Sequence, residues 1–396
     1  MPARFREDVV QAEVLTSALI ATAVDTAGVL PIAIVGAVAN QLRADIGLST
    51  QALGFVFAGY FAAASLLSAP IGRFTERADP GLFLRGGAVL TAAVLLAMSR
   101  VSSVRMLGAL VVLAGVAAAF TRTTSSVLVA RSIPPSRQGV ALGLRNCAIP
   151  LAALVAGISV PTIALTVGWP WVFVVAGLLS ASIVPAIPHS VPRPAHVPTA
   201  RRDMSLPPLI ALAVAAGLGS VAAASLNAFT AVTAVESGLS EAAAGVLIAV
   251  GSIVGVASRI AVGWWSDQRA GSQLDLVFAL MMAGAGGYAL MSVGSAALIW
   301  LAVPVAYATG WAFYGSYYLS VIRLNPIAPG QAVGVAQSGA FAGSILGPLL
   351  LGMLASRVSF MAAWLAAAAA AALAAAIIRA VHSSTKSAAA VHAAGT

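Results

Sequence analysis

One short polar stretch between two long apolar runs decides the fold, and it reads Ala69-Pro70-Ile71-Gly72-Arg73-Phe74-Thr75-Glu76-Arg77-Ala78-Asp79-Pro80-Gly81. A second copy, whose glycine lies 191 positions after Gly72, reads Gly263-Trp264-Trp265-Ser266-Asp267-Gln268-Arg269-Ala270-Gly271. In both copies a glycine is followed four residues on by an acid. The same offset aligns residues 45–49 with residues 236–240, each carrying an acid and the triplet Gly-Leu-Ser. The shared offset indicates a duplicated unit of about 190 residues.

The composition indicates a membrane protein. Hydrophobic residues make up 60% of the chain and charged residues 8%, so most of the chain cannot face water. Apolar runs of about 20 residues recur along the whole length, as a hydrocarbon layer about 30 Å thick requires of a spanning helix. A membrane β-barrel would instead show short segments that alternate between apolar and polar residues. The fold class predicted is an all-α membrane protein.

Hydropathy predicts twelve spanning helices, which the duplication divides into two pseudo-symmetric six-helix bundles. The N-terminal bundle covers residues 1–187, a cytoplasmic linker covers 188–206, and the C-terminal bundle covers 207–381. A disordered cytoplasmic tail is expected over 382–396. The predicted spans are 12–40, 51–72, 83–99, 104–130, 139–165, 169–187, 207–234, 242–264, 273–292, 296–321, 331–355 and 359–380.

The charge of +9 follows the pattern of membrane topology rather than of nucleic-acid binding. Lys and Arg residues are concentrated in alternate loops, which places those loops in the cytoplasm. Only Arg122 and Arg145 are counted well inside apolar helices. The pattern predicts a multi-pass protein of the inner or plasma membrane with both termini in the cytoplasm, and it argues against nucleic acid as a partner.

Several classes of chemistry are excluded by what the sequence lacks. The lone Cys147 excludes an intrachain disulfide and offers no metal site. There is no phosphate-binding Gly-rich loop, and no soluble domain is long enough to carry a catalytic centre. We therefore expect no cofactor, no metal and no enzyme activity.

The two six-helix halves, the basic central loop and the duplicated Gly-x-x-x-acid loop resemble the major facilitator superfamily over essentially the whole chain. The resemblance implies a monomeric secondary transporter that works by alternating access. In that family the loop acts as a cytoplasmic gate that steadies one state. The resemblance assigns this role to Gly72, Glu76, Arg77, Gly263, Asp267 and Arg269. The alternative is that these residues only anchor a cytoplasmic loop.

A narrower resemblance is to the bacterial branch with cyanate-permease-like and nitroimidazole-permease-like proteins. It rests on residues 130–135, which read Ala-Arg-Ser-Ile-Pro-Pro, on Gly143-Leu144-Arg145-Asn146 with Pro150, and on residues 343–348.

Ionisable side chains inside the membrane are expensive and are functional candidates by default. Asp25 lies near the middle of the first helix and Arg122 lies well inside the fourth, and this pair resembles proton-coupling pairs of the superfamily. The alternative is an ion pair that only fixes helix packing. Arg145 and its counterpart Gln337 are candidates for substrate binding, although Arg145 could instead snorkel to the interface.

The tenth helix carries a stripe of aromatic residues at helical spacing. Such a stripe can line a cavity and offer hydroxyl groups to a substrate, or it can pack against a neighbouring helix or lipid. Asn227 on the seventh helix is a further substrate-binding candidate. The stripe consists of Tyr307, Trp311, Tyr314 and Tyr318.

The function predicted is proton-coupled secondary transport of a small organic or inorganic anion, with protons and a small molecule as partners. The membrane-embedded residues include two arginines, Arg122 and Arg145, and only one acid, Asp25. This excess of positive charge favours an anion as the substrate. The aromatic stripe leaves proton-coupled efflux of drugs or other hydrophobic compounds as an alternative. A third possibility is a membrane receptor or scaffold that does not transport.

Overall fold

The chain folds into helices throughout the part that the structure describes. The computed structural model describes residues 3–48, 50–188, 206–269 and 273–394. Twelve helical segments in these ranges are long and apolar enough to cross a membrane, and the described residues contain no strand. The predicted all-α fold with twelve spans is confirmed.

The first half forms eight α-helices and two short helical turns. A π-helical turn at Val160–Ala164 and a 3₁₀ turn at Val184–Ala186 follow α7 and α8. The helices are α1 Ala3–Ala37, α2 Ala39–Ile46, α3 Thr50–Arg77, α4 Pro80–Met98, α5 Val104–Ser132, α6 Gln138–Arg145, α7 Ala148–Ser159 and α8 Trp169–Ile183.

The second half forms seven α-helices. They are α9 Leu206–Glu236, α10 Glu241–Asp267, α11 Leu274–Met291, α12 Ala296–Gly310, α13 Phe313–Leu324, α14 Pro329–Arg357 and α15 Phe360–Ala394. The predicted linker falls almost entirely on residues 189–205, which lie outside the described ranges.

The chain separates into two compact units. The first comprises residues 1–201 together with 327–334, and the second comprises residues 202–326 together with 335–396. The opening turns of α14 therefore group with the first unit, whereas the remainder of that helix belongs to the second.

The duplicated sequence has a matching backbone geometry. Gly47 follows the end of α2 with φ 70°, and its counterpart Gly238 lies just past the end of α9 with φ 95°. A positive φ strains any residue with a Cβ, so glycine is the residue that ends a helix in this way. The repeat thus preserves a chain reversal before the second span of each half.

Two predicted spans are broken and one predicted tail is helical. The fifth span breaks at Asn146 and Cys147, between α6 and α7, and the tenth breaks at Trp311 and Ala312, between α12 and α13. In the described part of the predicted tail, α15 continues as a helix to Ala394. Alanine, the strongest helix former, is frequent in that segment and favours the extension.

A stripe of glycines brings the backbones of α14 and α9 together in the second unit. The position that a Cβ would take at Gly339, Gly343 or Gly347 is occupied by a carbonyl group of α9. Small residues at every fourth position allow such close approach between helices in lipid. The carbonyl groups belong to Ala213, Gly217 and Val221.

Candidate functional site

A buried ion pair joins the first and fifth spans in the first unit. The Nε atom of Arg145 lies 2.9 Å from Oδ2 of Asp25, and the two side chains are 0% and 1% exposed. Arg145 is the last residue of α6, where the break in the fifth span begins. Asp25 lies within α1, which packs against α5, α6 and α7. These helices therefore enclose a carboxylate and a guanidinium away from the lipid.

Ser125 on α5 joins both members of this pair. Its hydroxyl donates to Oδ1 of Asp25 at 2.7 Å and accepts from Nε of Arg145 at 2.8 Å. The Nη2 group of Arg145 also donates to the carbonyl of Arg122 at 2.6 Å. Each of these bonds involves a charged group and is stronger than a bond between neutral groups. The network ties α1, α5 and α6 together around one carboxylate.

The structure refines the assignments made from the sequence. The ion pair at 2.9 Å joins Asp25 to Arg145, whereas Arg122, which was expected to pair with Asp25, contributes its carbonyl to the network. The alternative that Arg145 snorkels to the interface is wrong, because its side chain is completely buried. The side chain of Arg122 is 6% exposed.

Tyr60 on α3 braces the helix that carries Asp25. Its hydroxyl donates to the carbonyl of Gly28 at 2.9 Å, one turn beyond Asp25 on α1. Ser125 and Tyr60 were not selected from the sequence, since a Ser or Tyr in an apolar helix has no pattern that marks its partner. The helices that pack around Asp25 are held by side-chain bonds as well as by packing.

The aromatic stripe forms a cluster around the break in the tenth span. The ring centroids of Trp311 and Tyr314 are 5.6 Å apart, and those of Tyr314 and Tyr318 are 6.1 Å apart. The hydroxyl of Tyr314 is hydrogen-bonded to that of Ser220 on α9. Because the Ser220 hydroxyl donates to the Ala216 carbonyl, Tyr314 is the donor in this bond.

Arg259 on α10 belongs to this cluster and was missed in the sequence. Its side chain is 6% exposed, and its guanidinium carbon lies 5.8 Å from the centroid of the Trp311 ring. The predicted helix ended at residue 264, but α10 runs to Asp267, which places Arg259 eight residues, or about 12 Å, inside the helix. The sequence count of buried arginines was therefore one too small.

The remaining candidates for substrate binding are less connected. Gln337 is 2% exposed on α14 and does not join the contacts described above. Asn227 lies on α9, but its side chain is outside the described part of the structure. Among the described residues, no group of three or more His, Cys, Asp or Glu side chains is placed to hold a metal ion.

Both copies of the duplicated loop have an arginine near the carbonyl end of the preceding helix. In the first copy Nη2 of Arg131 donates to the Thr75 carbonyl at 3.4 Å. In the second copy Nη1 of Arg323 donates to the Arg269 carbonyl at 3.1 Å, just past Asp267 at the end of α10. A cation at the C-terminal end of a helix is favoured by the helix dipole.

The glycine of the first loop copy is tightly packed within the first unit. At Gly72 the position of a Cβ is occupied by the carbonyl of Gly330, in the opening turn of α14. At Gly334 it is occupied by the carbonyl of Ser68. Gly263 is buried, and the guanidinium of Arg269 lies 4.8 Å over the Trp265 ring. The side chains of Glu76 and Arg77 are outside the described part of the structure.

Comparison with known families matches residues 15–327 to the profile of the Major Facilitator Superfamily. The chain belongs to this superfamily. Members of the Major Facilitator Superfamily are transporters and not enzymes, which confirms the prediction that the chain is not an enzyme.

Two superfamily relatives from Mycobacterium tuberculosis (strain ATCC 25618 / H37Rv) share part of the chain. The uncharacterized MFS-type transporter Rv2994 is 28% identical over 215 residues, which are 52% of this chain and 48% of the relative. The uncharacterized MFS-type transporter Rv1250 is 30% identical over 162 residues, which are 39% of this chain and 28% of the relative. The chain thus spans about half the length of the first of these relatives.

Solved structures of the superfamily share the fold over nearly the whole chain. The human organic anion transporter MFSD10 (TETRAN) aligns with a TM-score of 0.71 and 15% identity, over 96% of this chain and 100% of that one. The proton:xylose symporter XylE, bound to 6-bromo-6-deoxy-D-glucose, aligns with a TM-score of 0.73 and 14% identity, over 93% of this chain and 95% of that one. At these identities the likeness shows the fold alone.

Proposed function

We propose that the protein is a secondary active transporter that couples the movement of a small anion to protons. The observation that carries the proposal is the buried pair of Asp25 and Arg145, held 2.9 Å apart and bridged by Ser125. A carboxylate buried inside a membrane-spanning helix bundle is retained against a high energetic cost, so it is expected to serve a function. Proton uptake is the function that its chemistry allows.

The coupling works through the charge of Asp25. When Asp25 binds a proton, its attraction for Arg145 is lost, and the guanidinium is left without its counter-charge in a site of low polarity. An anion can then supply the missing charge. Ser125 contacts both groups and can donate to the carboxylate or to the anion as the proton state changes. Proton binding and anion binding thus favour each other.

The balance of buried charge supports an anion as the substrate. Among the described spans, three guanidinium groups are less than one tenth exposed and one carboxylate is equally buried. Membrane spans with an excess of buried positive charge attract anions and repel cations. The positive residues are Arg122, Arg145 and Arg259, and the negative residue is Asp25.

Efflux of hydrophobic compounds is the second candidate, and the aromatic cluster at the break in the tenth span is the observation that favours it. A thermal-stability panel on the purified protein separates the two, because a ligand of the folded state raises the melting temperature. Small carboxylates, cyanate or nitrate should stabilise the protein if it carries anions. Stabilisation by lipophilic cations alone, unchanged in Arg122→Gln and Arg145→Gln, would favour efflux.

The Asp25→Asn variant tests the proton coupling. In proteoliposomes a gradient of one pH unit supports about tenfold accumulation of a substrate that moves with one proton. We expect wild-type protein to accumulate radiolabelled substrate from the stabilising panel, and Asp25→Asn to equilibrate it without accumulation. Asp275→Asn is the matched control, because Asp275 lies in an ion pair that is about half exposed.

A gradient-driven accumulation that survives in Asp25→Asn would contradict the coupling role. Equal loss in Asp275→Asn would instead point to a general defect of the preparation.

The duplicated loop is proposed to act as the cytoplasmic gate, and Gly72→Ala tests this role. Its Cβ would meet the Gly330 carbonyl, whereas Gly54 on the same helix has open space around the equivalent position. Overpacking of about 1–3 kcal/mol in one state shifts a two-state equilibrium by about fivefold to 150-fold. We expect Gly72→Ala to slow uptake by at least about fivefold per folded molecule, and Gly54→Ala to leave it unchanged.

The gate role fails if Gly72→Ala transports at the wild-type rate. If Gly72 is only an anchor, the amount of folded protein should fall while the rate per molecule stays constant.

Three finer predictions belong to the same proposal. They are the relationship to the cyanate-permease-like and nitroimidazole-permease-like branch, the cytoplasmic location of both termini in the cell membrane, and the monomeric state. The excess of Lys and Arg in alternate loops supports the orientation. Accessibility of tags at each terminus to a protease added to intact cells tests it.

A further inference from the structure

The face of α10 that packs against α12 carries glycines at positions 251 and 255, in the two turns that precede Arg259. A Cβ at Gly251 would lie 3.1 Å from the ring of Tyr307, and one at Gly255 would lie 3.3 Å from the Tyr307 carbonyl. The Nη1 atom of Arg259 lies 3.1 Å from the same Gly255 position, so the guanidinium folds back toward these glycines. Because Gly251, Gly255 and Arg259 recur at steps of four, they lie on one face of α10. The missing side chains of the two glycines leave room for Arg259 beside the broken tenth span.

Trp311 and Tyr307 lie next to this guanidinium at the break, and Tyr314 extends the aromatic cluster from Trp311. Trp311 presents its ring 5.8 Å from the guanidinium carbon, and the Tyr314 ring lies 5.6 Å from that of Trp311. The ring of Tyr307 lies against Gly251, and its carbonyl lies against Gly255 next to Arg259. Trp311, Tyr307 and Tyr314 are 6–7% exposed, whereas the neighbouring Tyr317 and Tyr318 are 0% exposed. Trp311, Tyr307 and Tyr314 therefore retain a small accessible surface, whereas Tyr317 and Tyr318 have none.

The chemistry of these groups matches one class of ligand. The face of a guanidinium interacts favourably with an aromatic ring, and its edge carries a fork of N–H donors whose geometry fits a carboxylate. Aromatic rings beside that edge offer flat apolar surface to the body that carries the carboxylate. A flat aromatic acid satisfies both, whereas a small inorganic anion satisfies only the first.

We propose that Arg259, Trp311 and Tyr314 form a substrate subsite in the second unit that binds the carboxylate and ring of an aromatic acid. The inference rests on the proposed transport of an anion and names its chemical class. It assigns to Arg259 the contact with the carboxylate and to Trp311 the contact with the ring. The Asp25 network has no part in this binding step.

Calorimetric titration of the purified protein with benzoate tests the subsite, with acetate and benzamide as probes that lack the ring or the charge. Wild-type protein should bind benzoate more tightly than either probe. Loss of a hydrogen bond to a charged group corresponds to about a tenfold or larger loss of affinity. We expect this loss for benzoate in Arg259→Gln, a smaller loss in Arg259→Lys, and no change for benzamide.

The controls keep the result independent of folding and of coupling. Arg379→Gln is the matched variant, because Arg379 also lies 5.8 Å from an aromatic ring, that of Phe278, but is 61% exposed. It should bind benzoate as wild type does. Trp311→Leu keeps the charge of Arg259 and should lose the preference for benzoate over acetate. If Arg259→Gln does not fold, Arg259→Lys and Trp311→Leu carry the test.

The proposal is overturned if wild-type protein binds no benzoate, if Arg259→Gln binds it with wild-type affinity, or if Trp311→Leu retains the preference over acetate. Binding is measured without a proton gradient. A failure of the coupling proposal would therefore appear as proton-independent uptake with intact benzoate binding, and a failure of the subsite as the reverse.

Discussion

Replacing Arg145 by Gln is expected to lower the free energy of unfolding by about 3–5 kcal/mol, because it leaves a buried carboxylate without its counter-charge. Asp25 is completely buried in this structure. The melting temperature of the detergent-purified protein should fall accordingly. The exposed pair of Arg379 and Asp275 provides the comparison, since surface pairs contribute about 0–1 kcal/mol.

The double variant Asp25→Asn/Arg145→Gln separates the structural from the functional role of the pair. Two neutral amides remove the uncompensated charge, so most of the lost stability should return. Gradient-driven accumulation should not return, because the Asp25 carboxylate that is proposed to bind the proton is absent. If the double variant is no more stable than Arg145→Gln, the 2.9 Å contact does not contribute the stability assigned to it.

The Gly343→Ala variant is expected to disrupt the second unit through packing alone. A Cβ at this position would overlap the carbonyl of Gly217, and neither helix can relieve a contact between backbones by changing a rotamer. Overpacking of this kind costs about 1–3 kcal/mol and occasionally more. We expect a lower melting temperature and a lower yield of folded protein on size-exclusion chromatography.

Gly286→Ala is the matched control for this change. Gly286 lies within α11 of the same unit, and nothing lies within 4 Å of the position that its Cβ would take. Because alanine favours a helix over glycine by about 1 kcal/mol, this variant should be as stable as wild type or slightly more so. Equal stability of the two variants would show that the α9–α14 contact tolerates a methyl group.

The twelve spans could be predicted because lipid requires long apolar helices, and their ends lie near the polar loops that the sequence marks. The ion pair could be predicted only in part. Counting residues along a helix gives the depth of Asp25, Arg122 and Arg145, but it does not give the rotation of each helix about its axis. The break after Arg145 changes that rotation in the fifth span. Neither of the two residues at the break, Asn146 and Cys147, is a proline, so the sequence does not mark the break.

Arg259 illustrates a different limit. A signal was present in the sequence, since Gly251, Gly255 and Arg259 recur at steps of four, which places them on one face of a helix. Its meaning depends on Trp311, which is 52 residues away in the chain and lies at a break in its own helix. A contact between two helices of this kind follows from packing and has no counterpart in the local pattern.

The break in the fifth span has a practical consequence for the study of motion. Cys147 lies at this break, is 2% exposed, and is the only thiol among the 396 residues. A thiol reagent that requires access from water will therefore find little native background, and a cysteine introduced at an exposed position such as Arg357 can carry a spin label or a fluorophore in the otherwise unaltered chain. Distances between two such labels can then be followed during turnover.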